Sequence, residues 1–304
     1  DQIIIFTGFH KITINKAMKS KVYFSREITP VKISEMYDLV SANLEGKTAI
    51  KLHSGEVGNQ NFLGPDLWAD VIKKNGGAVT ECNTAYAGSR NTTEKHLETL
   101  EKHGWSKQFK VDLLDAEGND LVLDIPDGKV IKKNYVGRNL ANYDSLLVLS
   151  HFKGHPMGGY GGALKQLSIG IASSYGKAYI HGAGDPAKIW TGDHDLFLES
   201  MADAAYSVAK YFGKKSAYIN VMKNMSVDCD CCAVAEDPCM PDIGILASTD
   251  PIAVDQACID LVYASDAPGR DHLIERIETR NGVHTIEAAA AHGFGSREYE
   301  LIEL

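Results

Sequence analysis

The feature that most constrains this chain is an alternation of two kinds of segment. Short apolar runs that read as buried strands are separated by stretches with helical spacing. "KTAIKLHSG" reads as a strand and "GPDLWADVIKKNG" as a helix. "AVTECNTA" reads as the next strand, and "NTTEKHLETLEKHG" as a helix with Asn91 or Thr92 as its cap. "YDSLLVLS", "SAYINVMKN" and "DIGILAS" continue the strands. "GGALKQLSIGIAS" and "DHDLFLESMADAAYSVAKYFG" read as helices, the latter the longest. After the last strand, "DPIAVDQACIDLVYAS", "GRDHLIERIETRNG" and "HTIEAAAAHGFG" are helical and "YELIEL" is a short closing strand. Strands separated by helices pair in parallel, because the helix carries the chain back across the sheet. The expected fold is therefore α/β: a mostly parallel sheet, helices on both faces, and a ligand cleft at the carboxyl ends of the strands.

Residues 18–304 read as one α/β domain or two tightly packed subdomains, with the polar stretch 106–140 as an insertion. Residues 1–17, "DQIIIFTGFHKITINKA", read as an appended extension or the product of an upstream start before Met18. They lack the charged, apolar and small-residue order of a signal peptide, so the expected location is cytoplasmic. A net charge of −9 argues against nucleic acid as a partner, and no apolar run reaches the length of a membrane span.

Polar clusters begin where five expected strands end. They are "HSGEVGNQN", "CNTAYAGSRN", "SHFKGH", "KNMSVDCDCC" and "STDP". The simplest account is one cleft lined by His53, Glu56, Asn59, Asn61, Asn83, Arg90, His151, Lys153, His155, Asp228 and the cysteines. His151, Lys153 and His155 alternate, so in an extended segment they share one face. Lys153 there would repel a cation and attract an anion. Gly158, Gly159, Gly161 and Gly162 then lead into the helix bearing Lys165. Such a loop suits either a tight turn with close helix–sheet packing or a phosphate- or carboxylate-binding site on backbone amides. In the anion reading Lys153 and Lys165 are the charge partners and an anionic small molecule or cofactor is the ligand. His151 or His155 would supply acid–base chemistry beside Glu56, since histidine titrates near neutral pH. His53, Asn59, Asn61 and Arg90 would help hold the cofactor.

Of the six cysteines, Cys229, Cys231, Cys232 and Cys239 fall in "DCDCCAVAEDPC". The spacing matches neither structural zinc nor bacterial ferredoxin patterns. Three readings stay open: metal or iron–sulfur ligation, redox thiol chemistry, or small buried residues in a turn. For ligation, Cys229 and Cys231 share one side of an extended segment, Cys239 is the third ligand if its loop folds back, and Cys232 packs away. Zinc or iron suits soft thiolates better than magnesium. In "STDPIAVDQAC", Thr249 or Asp250 caps a helix, and the buried Asp255 is expected to hold a residue of a neighbouring loop. His96, His103, His272, His284 and His292 read as solvated on polar helical faces, whereas His181 and His194 are second-rank ligand candidates.

The blocks "KLHSGEVGNQNFLGP", "CNTAYAGSRNTTEKH", "SHFKGHPMGGYGGALKQLSIGIAS" and "DIGILASTDPIAVDQA" resemble, in order, those of a widespread prokaryotic family of unknown function, serial number 362. The resemblance runs from Lys21 to the C-terminus. Many members carry an inserted ferredoxin module with the spacing C-x2-C-x2-C-x3-C-P, which this sequence lacks. An iron–sulfur role, and a redox partner protein with it, would then rest on the cysteine block of the core. The glycine-rich loop leading to a lysine, with histidines upstream, is also similar to the lactate racemase family. There a lysine holds a nickel-pincer cofactor derived from nicotinic acid, and histidines bind the metal or move protons. That resemblance implies Lys165 as the cofactor lysine and His151 or His155 as ligand or base. The residues thus point to a metal- or iron–sulfur-binding enzyme, of oxidoreductase or isomerase type, acting on or through an anion. A non-catalytic metal or cofactor carrier or sensor is the alternative, and a nickel-cofactor racemase-like enzyme the second.

Overall fold

The computed structural model describes residues 3–7, 10–14 and 19–304. In chain order its elements are β1 (Ile3–Thr7), β2 (His10–Ile14), β3 (Ser20–Ser25), α1 (Pro30–Val40), β4 (Thr48–Lys51), α2 (Pro65–Asn75), β5 (Ala78–Glu81), α3 (Thr93–Lys102), α4 (Trp105–Gln108) and β6 (Val111–Leu113). Next come β7 (Leu121–Asp124), β8 (Lys133–Val136), β9 (Ser145–His151), β10 (Lys153–His155), β11 (Gly159–Gly161), α5 (Ala163–Lys165), α6 (Ser174–His181) and α7 (His194–Phe212). The chain continues with β12 (Ser216–Met222), β13 (Gly244–Ser248), α8 (Pro251–Ala264), α9 (Arg270–Thr279), α10 (Val283–Ala291) and β14 (Tyr299–Glu303). β1 and β2 pair antiparallel; the rest of residues 1–17, and Met18, lie outside the described residues.

Eight strands form the main sheet in the order β14-β3-β13-β12-β9-β4-β5-β6. The ladders from β12 through β9, β4 and β5 to β6 are all parallel, as is β14 with β3. The sheet is thus mostly parallel, with β13 reversed between its neighbours. Strand β9 shows why both faces are covered. Leu146 and Val148 join the core beneath α7, α8 and α10, while Leu147 and Leu149 join the core beneath α1, α2 and α4. Alternate side chains of a strand point to opposite faces, so an all-apolar run needs a layer on each. The stretch 106–140 divides: β6 extends the main sheet, while β7 and β8 form a separate hairpin.

The reversed strand corrects one expectation. Ser248 at the end of β13 pairs with Tyr218 near the start of β12. The "STDP" cluster therefore sits at the opposite edge of the sheet from the other four. There Asp250 caps α8 by accepting from the amides of Ile252 and Ala253. The reversal also makes residues 223–243 a wide loop over the carboxyl edge, carrying the cysteines across the ends of the parallel strands. Within the described residues, no helix is long and apolar enough to cross a membrane.

Candidate functional site

Four strand ends converge on one cavity of about 530 Å³, large enough for a small organic ligand. His53 enters after β4, Arg90 after β5, His151, Lys153 and His155 at and after β9, and Cys229, Cys231 and Cys232 after β12. Gly161, Gly162 and Lys165 form another wall.

The floor is a network of buried charge. Lys51 meets Glu81 at 2.6 Å across β4 and β5, and Glu81 also accepts from the amide and hydroxyl of Ser54. Arg90 reaches Glu56 at 3.0 Å and Glu81 at 3.8 Å. Burial opposes ionisation of Glu81, but Lys51 and its neighbouring cations outweigh it and hold the carboxyl well below its usual range. Glu56 itself is turned to Ser89 and Arg90, behind the cavity wall, so it steadies Arg90 and does not face a ligand. Arg90 Nη2 is buried without a partner among the described residues.

Asp230, between two cysteines, anchors the next group. Its carboxylate lies 2.9 Å from His151 Nδ1 and 3.1 Å from Lys153 Nζ. Burial again opposes ionisation, and the two cations again outweigh it. The other nitrogen of His151 lies 2.6 Å from the carbonyl of Lys223. Both ring nitrogens are engaged by acceptors within the protein, so neither is free for a ligand. This corrects its expected role as ligand or base: it is a clamp on the cysteine loop.

His155 differs. Its Nδ1 accepts from the amides of Met157 and Gly158, and its Nε2 lies 4.0 Å from Cys231 Sγ. Burial lowers its pKa to about 4. His155, Cys229 and Cys231 offer donor atoms within 4.8 Å of one another, a group able to hold a metal ion. The thiol of Cys229 is pushed up to about 12, first by its hydrogen bond with Cys231 and then by burial. Cys239 is not part of this group. Its sulfur and its amide both donate to the carbonyl of Met225, and its side chain packs against the main core away from the other thiols. Cys232 lines the cavity and does not pack away from it.

The glycine segment folds as the hairpin β10–β11, with α5 beginning immediately after it. The amides of Ala163 and Leu164, at the helix start, donate to the carboxylate of Asp255 at 2.8 and 2.9 Å. Asn220 and Tyr160 donate to the same carboxylate. A side chain at Gly162 would come within 2.5 Å of it, so the glycine there is steric. The first helical amides are thus satisfied inside the protein, and the expected anion site on the loop backbone is not formed there. Gly158 and Gly159 lie outside the cavity wall. After α5 the chain makes one π turn, Gln166–Gly170. A side chain at Gly170 would meet Lys51 Cε at 2.8 Å, so its bareness lets Lys51 pass to Glu81.

Lys165 projects into the cavity and has no hydrogen-bond or ion-pair partner among the described residues. Burial lowers its pKa to about 8. Lys177 donates to the carbonyl of Ala172, and its carbonyl meets Nδ1 of His181 at 2.7 Å. Both side chains line the cavity, with Tyr86, Trp190 and Arg280 toward its mouth.

Asn59 and Asn61, expected to hold a cofactor, instead hold the cysteine loop. Asn59 donates to the carbonyls of Cys229 and Cys232, and Asn61 to that of Glu236. Asn83 bonds Thr93 and His96, and Asp228 pairs with Arg276. His96 and His292 are not solvated: the first is buried against Asn83, the second against Asp203. Sequence reasoning missed Lys51, Glu81, Asp230, Lys177 and Trp190. A lysine inside the apolar run "TAIKL" and an acid ending "AVTE" were available signals; for Trp190 there was none.

Two solved structures are similar in outline. The lactate racemase apoprotein from Thermoanaerobacterium thermosaccharolyticum is 17% identical with a TM-score of 0.40, covering 73% of this chain and 55% of its own. A crystal structure of a protein from Thermotoga maritima is 14% identical with a TM-score of 0.43, covering 86% of this chain and 59% of its own. The chain thus spans somewhat over half the length of each. No curated protein matches the sequence. A family model matches residues 48–260, which include every residue lining the cavity except Arg280. The chain belongs to the family described as domain of unknown function DUF362.

Proposed function

We propose that the cavity is the active site of a metal-dependent enzyme acting on an anionic small molecule. The observation that carries this reading is the convergence of the Cys229 and Cys231 thiols, with His155 beside them, at the wall of the cavity into which Lys165 projects unpartnered. Thiolate donors suit zinc or another soft divalent ion. Four thiols do not converge here, so a four-cysteine iron–sulfur cluster fits this site less well. Such an ion would act as a Lewis acid on a bound oxygen.

The protein's own groups supply the rest. Lys51 and Lys153 carry carboxylate partners, so their charge is balanced. Lys165 has no such partner among the described residues and would attract an anion, while Arg90, whose charge is paired with Glu56 and Glu81, has only its Nη2 hydrogens left to orient one. Lys165 is also the group suited to exchange a proton near neutral pH, a role that His151 cannot take. The apolar flank of Pro156, Met157 and Ile169 excludes water from the same space. A carrier would need ligands but no free amine beside them, so Lys165 favours the enzyme.

The test is elemental analysis of anaerobically purified protein. The native chain should carry close to one equivalent of a soft divalent metal. The double variant Cys229→Ser, Cys231→Ser should lose it, and Cys239→Ser should not. Equal metal content in the native and double-variant proteins refutes the reading.

A further inference from the structure

We infer that His155 is a hydrogen-bond donor to the thiolates and not a metal ligand, so that the ion rests on Cys229 and Cys231 with its remaining positions open to the cavity. This rests on the metal reading above and deepens it. The ring orientation is determined by two backbone amides, those of Met157 at 3.1 Å and Gly158 at 2.9 Å, which both point at Nδ1. An atom that accepts two N–H groups presents a lone pair. In the neutral ring the single hydrogen is then on Nε2, the nitrogen that faces Cys231 Sγ at 4.0 Å. A ligating histidine has the opposite arrangement: its distal nitrogen donates, and the metal takes the lone pair of the other. For Nε2 to bind an ion, the ring would have to lose its last hydrogen or turn, and turning would point both amides at a carbon. The Nε2–H aimed at sulfur instead stabilises a thiolate.

Nothing else within the described residues completes the shell. Cys239 is tied to Met225, Asp230 to His151 and Lys153, and Cys232 stands outside the group of converging donors. A four-coordinate ion on two thiolates keeps two positions for an exogenous donor. These face the space holding Lys165, so the ligand class is a small anion that binds the metal directly through a carboxylate or similar donor while its charge meets the lysine.

The experiment uses cobalt(II) as probe in the full chain, prepared without oxygen. Native protein should show charge-transfer absorption of two thiolates and no imidazole nitrogen signature by pulsed electron paramagnetic resonance. Azide should shift the ligand-field bands. His155→Ala should keep the same spectrum with affinity lower by about tenfold, the size typical of an outer-shell partner. His155→Gln, whose amide can still donate to sulfur, should recover most of that loss. An imidazole signature in the native protein, or bands unmoved by azide, overturns the inference while leaving the metal reading intact. Absence of cobalt binding by the native protein overturns both.

Discussion

Asp230 Oδ1 lies 2.9 Å from His151 Nδ1, and this contact ties the cysteine loop to the end of the central strand. Both groups are buried, and Lys153 shares the carboxylate. Replacing Asp230 leaves the buried Lys153 ammonium without its counter-charge and His151 without its carboxylate partner. Asp230→Asn should cost about 3–5 kcal/mol at pH 7, measured by chemical denaturation. The Asp230 carboxyl is held below its usual range, so its contribution is present above the unfolded value of about 4 and is lost as pH falls through the folded one. The gap between native and variant should therefore begin to narrow as pH falls below about 4 and go on narrowing toward strong acid. A gap that is constant down to pH 2 would show that the ion pair is not its source.

Asp255 is expected to act on the glycine segment from a distance in sequence. Removing its carboxylate strands the amides of Ala163 and Leu164 in an apolar setting. Asp255→Ala should cost about 1–3 kcal/mol per stranded donor, and those two amides should exchange with solvent faster than the rest of the cavity wall. Unchanged exchange at Ala163 and Leu164 would mean the contact does not hold the helix start.

Lys165 should titrate apart from the other lysines. Burial lowers its pKa to about 8, so it should react with a small amine-directed reagent near neutral pH, well before ordinary lysines at about 10.4. A folded pKa below the unfolded one destabilises the fold at neutral pH. That penalty fades as pH rises from about 8 to about 10.4. Lys165→Met should accordingly raise the melting temperature at pH 7 and lose that advantage above pH 10. Mass spectrometry of the modified lysines checks the reactivity, and a pH series of melting curves checks the sign.

Trp190 offers an optical view of the cavity mouth. It is 62% exposed, whereas Trp68 and Trp105 are buried. The chain carries a net charge of −9, which alone would repel iodide. Lys165, Lys177 and Arg280 line the same space as Trp190, so iodide should quench its emission more efficiently than caesium. High salt should erase the difference by screening, and Trp190→Phe should abolish it. Stronger quenching by caesium would refute a cationic mouth.

The sequence by itself determined the fold class and the edge where chemistry gathers. Apolar runs such as "SLLVLSH" and "SAYINVM" are buried on both faces in a sheet that helices cover on each side. The polar residues that follow them must then emerge at the carboxyl edge. His53, Lys153, His155, Cys229 and Cys231 were legible for that reason, as residue types placed after strand ends, and Lys165 as the lysine of the helix that follows the glycines. Strand direction was not legible. β13 has the same apolar pattern as its parallel neighbours, and only its pairing with β12 and β3 puts "STDP" at the far edge. Nor could the sequence say which polar groups are occupied by one another. Lys51, Asp230 and Asp255 find partners 30, 79 and 92 residues away, and those contacts decide which histidine is a clamp and which lysine stays free. A side chain's type determines what it can donate or accept. Only the tertiary structure decides whether a neighbour has already taken it.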